Sequence, residues 1–492
     1  AQGSSFIVQQ SKNFGYGLQN ISKGDFSLTS QIDNFVFVNN VYFNAISIED
    51  NSKTYLEAKT GNNTIESVNG MTVMASSGAK FSAIAENGYN YIQSSGNGMA
   101  VYSNQSEVNL RANYNQISSA GNMAIYSRDS SNVDLIARDI NYIRGGAVYS
   151  EEGNSFANKY AVYSLGGSSV ILNAGNQNAL FGAVYAEGNG TTVTLSGLNG
   201  AESKSNVIRS YAIISNAGDL SSDTTGIFEK KSVVSALYAE QGANITLNGM
   251  FNDIGTYADY TDDYTLERTV WAYNGYADDF VGERVGSQIN ITGQVNIKTD
   301  SYDKSPKSLD VAIAAGTGVN LDKTKVSKYI KDKERAKVDI NYSNVSSGWS
   351  ENGMTYNVEG DILSAYEGLI NIDTEDADAG INIHGNLLAG NNGILNVNLG
   401  KNGVLTGRAD DYGDAGFTSD EGHSSDESFS DPAFSSAIYK GGEVNLKMGE
   451  GSRWNVKGQS WITRIKASDD AVSETSPLID LVSANSDRNT NA

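Results

Sequence analysis

The chain has 492 residues, with 35 basic against 57 acidic side chains for a net charge of −22, and it contains 52 glycines, 27 tyrosines, three prolines and no cysteine. So acidic a chain excludes a general role on nucleic acid or on an anionic membrane surface, because any anionic partner would need a local basic patch. The absence of cysteine excludes disulfides as a source of stability, and with no run of about 18 apolar residues no segment is expected to insert in a bilayer as a helix.

Residues 1–70 alternate apolar and polar side chains, as in FVFVNNVYFNAISIE at 35–49, without a clear repeat. This atypical stretch is expected to form an N-terminal cap and the first rungs of a repeat fold, where an exposed core and an open strand edge need covering. From 71 onward a unit recurs: GMAVYSNQSEVNL (98–110), NMAIYSRDSSNVDL from Asn122, YAVYSLGGSSVIL from Tyr160, GAVYAEGNGTTVTL from Gly182 and SALYAEQGANITL from Ser235. Each reads as a short aliphatic strand ending in tyrosine, a polar turn, and a second strand with alternating apolar residues. A third apolar element follows in most copies, as in YNQISS from Tyr114, INYIRG from Ile140 and NVIRS from Asn206.

The tyrosines at 102, 126, 163, 185 and 238, with Ile213 standing in for a degraded copy, are 24, 37, 22, 28 and 25 residues apart. Three strands of about 4–6 residues in each period of about two dozen predict an all-β fold, a right-handed parallel β-helix with three strands per rung. Leucine-rich repeats need a leucine and asparagine frame that is missing, and the period of two inside each unit excludes helical repeats. The solenoid is expected to span 71–466, with insertions at 146–162, 218–231, 255–286, 300–337 and 410–433, and residues 467–492 form a polar tail. The facing of the tyrosines is open. They turn outward as a ladder if Val101, Ile125, Val162, Val184 and Leu237 point inward; the favoured reading is the opposite phase, with the rings stacked in the core.

At the far end of the chain, Val444, Leu446, Trp454, Val456, Gly458, Ser460, Ile462 and Ile465 resemble the closing rung of passenger domains from type Va autotransporters. The AVY and V-x-L repeats are similar to the β-helix of the same family, as in pertactin-like and AIDA-like adhesins, and the size is similar to that of the UpaB adhesin class. The resemblance implies a bacterial surface adhesin, displayed on the outer membrane or secreted. Its partners would be host extracellular-matrix components such as glycosaminoglycan, matrix proteins such as fibronectin, or copies of itself on neighbouring cells, the last making an aggregation or biofilm module. It implies no catalysis and no cofactor. The chain stops without a translocating barrel, which under this resemblance makes it a released passenger or a fragment.

Catalytic constellations are sparse. A Ser/His/Asp arrangement needs a histidine base, and the two histidines, His384 and His423, accompany no G-x-S-x-G elbow. Paired carboxylates for a polysaccharide lyase or hydrolase could come from neighbouring rungs anywhere in so acidic a chain, so their abundance is unspecific and that reading stays an alternative. Acidic stretches at 373–380 and 410–431 match no calcium-loop pattern, and no metal site is assigned.

Binding residues are expected where the repeat breaks. Between Lys298 and Lys337 ten basic residues meet six acidic ones, and Lys323, Lys325, Lys328, Lys331, Lys333 and Arg335 spread charge along a line suited to a sulfated or carboxylated polysaccharide. In 255–286, Tyr257, Tyr260, Trp271 and Tyr273 supply aromatic faces for sugar rings, and Asp262 and Asp263 supply hydroxyl acceptors. A solvated basic loop and an aromatic lid are the competing readings of these two segments.

Overall fold

The computed structural model describes residues 5–9, 18–39, 44–149, 155–158, 160–214, 233–260, 266–276, 285–299, 311–318, 334–343, 350–351, 354–365, 367–374, 376, 378–390, 392–411, 442–458, 460–467 and 476–481. Among them every element is a β-strand apart from one 3-10 turn at Leu198–Gly200. The strands pair in parallel except in two short antiparallel hairpins, Ala147–Tyr149 with Ser155–Asn158 and Ser350–Glu351 with Met354–Thr355. The fold is all-β with parallel sheets, and the chain divides into two compact units.

The first unit comprises Ala1–Ile213 and Ala243–Phe251. Each of its repeats contributes to three columns of parallel strands. In the first column Leu18, Ile46, Val73, Val101, Ile125, Val162 and Val184 face one another in register. In the second, Leu56, Ala83, Leu110, Leu135, Leu172, Leu195 and Leu247 do the same. The third runs Val36, Ile65, Ile92, Ile117, Ile143, Leu180 and Ile208. All of these are buried. Period-two alternation sends them inward and the intervening residues outward, so apolar side chains, most of them branched, stack on one another from repeat to repeat.

The register begins at Ser5–Gln9 opposite Asn34–Val38, so residues 1–70 already carry the repeat pairing. The long step from Tyr126 to Tyr163 contains the hairpin at 147–158. Ile213 belongs to Ser205–Ile214, whose first half pairs with Gln177–Phe181 in the third column, so it does not stand in the tyrosine column as its YAIIS context suggested.

The favoured core placement of the tyrosines is corrected in this unit. Val101, Ile125 and Val162 are fully buried, and the in-register Tyr102, Tyr126 and Tyr163 point outward and are half-buried. The serines that follow, Ser103, Ser127 and Ser164, take the inward position and are fully buried.

A second feature of the interior has no aliphatic character. Asn34, Asn63, Asn90, Asn115, Asn141, Asn178 and Asn206 stack in the bend between the second and third columns, each donating its Nδ2 to the Oδ1 of the next at 2.8–3.0 Å. All seven are buried. Several also donate to a main-chain carbonyl of the next repeat, as Asn63 does to Ile84 and Asn115 to Ile136. The bend interrupts the ladder of backbone hydrogen bonds, and the amides satisfy what the bend leaves open.

The second unit comprises Ile214–Gly242 and Asn252–Ala492. It repeats the pattern with Leu237, Val270, Ile313, Ile362 and Leu387 in one column, and Ile340, Ile372, Val397 and Leu446 in another. Gly360, Gly385 and Gly407 stack so closely that a Cβ on Gly385 would lie 2.0 Å from the Gly360 carbonyl oxygen, and one on Gly407 1.9 Å from that of Gly385.

Two segments expected to be insertions carry core strands here. Leu266–Tyr276 occupies the tyrosine column, with Trp271 opposite Tyr238, and Val311–Gly318 pairs beside it. Their alternation, TVWAY and VAIAA, is masked in the sequence by dense tyrosine, aspartate and lysine on either side. The polar tail also contributes a strand, Leu478–Asp480, paired with Arg453–Asn455.

Candidate functional site

Lys323, Lys325, Lys328, Lys331, Lys333, Asp262, Asp263 and His423 lie outside the described residues. Arg335 is half-buried, and its Nη1 donates to the carbonyl oxygens of Glu367 at 3.2 Å and Asn392 at 3.0 Å. It ties successive turns of the chain together. Tyr257 is half-buried, and Tyr260 closes the same strand, Asn244–Tyr260.

Trp271 and Tyr273 are brought together, with ring centroids 5.1 Å apart, but in the interior: they are 0% and 1% exposed. Trp271 stacks flat on Tyr238 at 4.4 Å, and the Arg268 guanidinium carbon sits 5.4 Å from its ring centroid. Neither ring offers a face to a sugar. Val270 and Ala272 take the inward phase of this strand, so Trp271 and Tyr273 stand on its other side and are buried there as well, as Tyr238, 7% exposed, is in this unit.

A concave feature of the second unit is built elsewhere, on the outer face of Leu369–Asp373, Ile394–Asn398, Glu443–Met448 and Arg464–Ala467. The inward Ile372, Val397 and Leu446 fix these strands to the core. Period two then turns Asn371, Asn396, Asn445 and Arg464 outward in one line, with Lys447 opposite Lys466 two residues further on. A groove of about 350 Å³ lies along these side chains.

The amides form an ordered row: Asn445 donates to Asn396 at 2.9 Å, Asn396 to Asn371 at 2.8 Å, and Asn371 to the Asp339 carboxylate at 2.7 Å. Asp339 is paired with Lys337 at 2.6 Å. Beside the row, Asp373 accepts from Asn398 at 2.7 Å. Among the described residues Lys447, Arg464 and Lys466 have no ion-pair partner, so three cations stand against the one carboxylate of Asp373 in the groove. Strands about 4.8 Å apart present these groups at a regular spacing. Such a surface can bind repeated anions through the cations and hydroxyls through the amides.

The signal for this groove was present only as asparagines recurring in LINID, ILNVN and EVNLK, and it needs the register to become a line. Among the described residues no cluster of three or more His, Cys, Asp or Glu side chains is gathered for a metal ion. His384 stacks on Tyr356 at 4.8 Å. No helix among them is long and apolar enough to cross a membrane. Comparison of the chain with protein-family models, with curated proteins and with solved structures gives no match.

Proposed function

We propose that the parallel columns are the rungs of a right-handed β-helix, three strands to a rung, and that the chain is a non-catalytic bacterial surface adhesin of the autotransporter-passenger kind. Its partner in this reading is an anionic matrix polymer, a sulfated or carboxylated glycosaminoglycan, held in the groove of Asn371, Asn396, Asn445, Lys447, Arg464 and Lys466. The observation that carries the reading is three cations without ion-pair partners beside an ordered amide row, on a chain whose net charge is −22. A long chain with regularly spaced anions and hydroxyls matches that spacing, and its attraction to the groove is local because the rest of the acidic surface repels it.

The test compares wild type with a Lys447→Ala, Arg464→Ala, Lys466→Ala variant on immobilised heparin and hyaluronate at several salt concentrations. Wild type is expected to bind with an affinity that falls as salt rises, and the variant to lose most of it. Equal binding by both proteins removes the groove from the reading. Release of new reducing ends or unsaturated products from the polymer would point instead to a carbohydrate-active enzyme.

A further inference from the structure

The first unit gathers thioethers on one outer face. Met71, Met99 and Met123 each stand two residues before a buried column residue, and those residues, Val73, Val101 and Ile125, are in register. The main chain keeps the same line, since Ala45 N donates to the Met71 carbonyl at 3.1 Å and Thr72 N to the Met99 carbonyl at 2.9 Å. The turns just before Met71 and Met99 nest without slack: a Cβ on Gly98 would lie 1.9 Å from the Gly70 carbonyl oxygen. Three methionines therefore follow one another at the strand spacing of about 4.8 Å.

Met74 supplies a fourth sulfur. It turns outward one residue after Val73, the position held by Tyr102 and Tyr126 in the next two repeats. Side chains two before and one after a column residue meet on this face, as the rings of Tyr160 and Tyr163, 4.7 Å apart, show. Asn44 fixes the corner: its Oδ1 accepts from Met71 N at 3.0 Å, and its Nδ2 donates to the Met74 Sδ at 3.0 Å. That bond engages one lone pair of the sulfur and leaves the other. Further along, Asn122 accepts from Met123 N at 2.9 Å and donates to the Asn97 carbonyl at 2.9 Å. The backbone under the methionines is thus set in advance, while each thioether keeps three rotatable bonds with which to converge. All four are half-buried, and they are four of the chain's seven methionines.

Thioethers are soft, uncharged ligands that select Cu(I) and leave hard cations to oxygen. The chain has no cysteine, and neither of its two histidines belongs to the first unit, so no thiolate or imidazole competes there. The rings of Tyr102 and Tyr126, 5.5 Å apart, border Met99 and Met123 and add π faces that attract a cation. Neutral ligands leave the ion its positive charge, which a chain of −22 accommodates. We propose that Met71, Met74 and Met99 form a binding site for a soft monovalent metal ion, Cu(I), with Met123 next in line as a fourth sulfur. The inference is independent of the groove and of the adhesin reading.

Ag(I), a redox-inert stand-in for Cu(I), is titrated into the full chain carrying isotope-labelled methionine methyl groups, each resonance assigned by replacing the methionines singly with leucine. The Met71, Met74 and Met99 methyls are expected to shift together and to saturate at about one equivalent, while the exposed Met250 and the buried Met448 stay in place. Cu(I), added anaerobically with ascorbate, is expected to displace the Ag(I), and Zn(II) is not. Met99→Leu keeps the volume and removes the central sulfur, and is expected to weaken Ag(I) binding about tenfold or more with an unchanged circular-dichroism spectrum. Met74→Leu is expected to do the same, and Met250→Leu to leave the affinity as it is. Stripe methyls that do not move, a Met250 methyl that moves first, Ag(I) that Cu(I) fails to displace, or wild-type affinity in both Met99→Leu and Met74→Leu overturns the proposal.

Discussion

The Nδ2 of Asn115 donates to the Oδ1 of Asn141 at 2.9 Å, beside columns of stacked valine, leucine and isoleucine. Each partner is buried, so neither amide has water as an alternative. Asn115→Ala removes an acceptor from Asn90, a donor from Asn141 and a donor from the Ile136 carbonyl at once. It is expected to cost about 2–4 kcal/mol in urea unfolding, and Asn371→Ala on the outer face less than about 1 kcal/mol.

Trp271→Ala is expected to cost about 3–5 kcal/mol, because the ring is fully buried against Tyr238 and Tyr273. Denaturant midpoints measure it. The folded variant is expected to bind anionic polymer as wild type does, separating the aromatic stack from the groove.

Arg464→Ala alone is expected to lower polymer affinity about three- to tenfold near physiological salt and to flatten the salt dependence, read by surface binding at a series of ionic strengths. Arg335→Ala, which breaks the hydrogen bonds to the Glu367 and Asn392 carbonyls, is expected to lower stability and leave that salt dependence unchanged.

Two neighbouring carboxyls respond to pH in opposite senses. Burial, and then the charge of Glu107, pushes the Asp134 carboxyl up, and among the described residues its buried Oδ1 has no hydrogen-bond partner. Its charged form therefore weakens the fold at neutral pH, and the penalty is relieved as pH falls through its raised folded value. Hydrogen bonds from Lys80 and Asn109 hold Glu107 below its ordinary range. Its contribution is complete above the ordinary glutamate value and is lost as pH falls through the lowered one. Asp134→Asn is expected to stabilise at about pH 7, on the order of 0.5 kcal/mol after solvent screening, with the gain shrinking on acidification. Glu107→Gln is expected to destabilise at the same pH, with the difference vanishing in acid. Urea midpoints at a series of pH values read both.

Gly385→Ala places a methyl group 2.0 Å from the Gly360 carbonyl oxygen, where backbone rather than a side-chain tip must move. It is expected to cost more than about 2 kcal/mol by thermal or urea unfolding, against a fraction of that for Gly200→Ala, whose Cβ would meet nothing within 4 Å, the strain of its positive φ being the whole penalty.

The all-β class and the strand alternation were legible, because Val101, Ile125, Val162 and Val184 recur in one local frame and period two does the rest. The outward turn of Tyr102 was not, since alternation alone gives two phases and only the burial of Val101 and Ser103 shows which one is taken. Trp271 was read as a binding ring because aromatic and acidic density hid a five-residue strand pattern. The asparagine column escaped notice because its members sit at bends, 25–37 residues apart, where polar residues are ordinarily taken for turn formers. The groove was not legible because Asn371, Asn396, Asn445 and Arg464 are separated by 25, 49 and 19 residues and meet only through register.

In the first unit the members of the buried amide column from Asn34 to Asn178 each donate to the member in the repeat that follows, and those from Asn63 to Asn206 each accept from the one before. The stack is thus vectorial. Shortening it from the C-terminal side strands a buried donor at the new end, whereas shortening it from the N-terminal side strands only an amide oxygen, as the existing start of the column already does at the Asn34 Oδ1. Nested deletions from the two sides, matched for length, should lose stability unequally, and the molecule would tolerate loss of its beginning better than loss of its continuation.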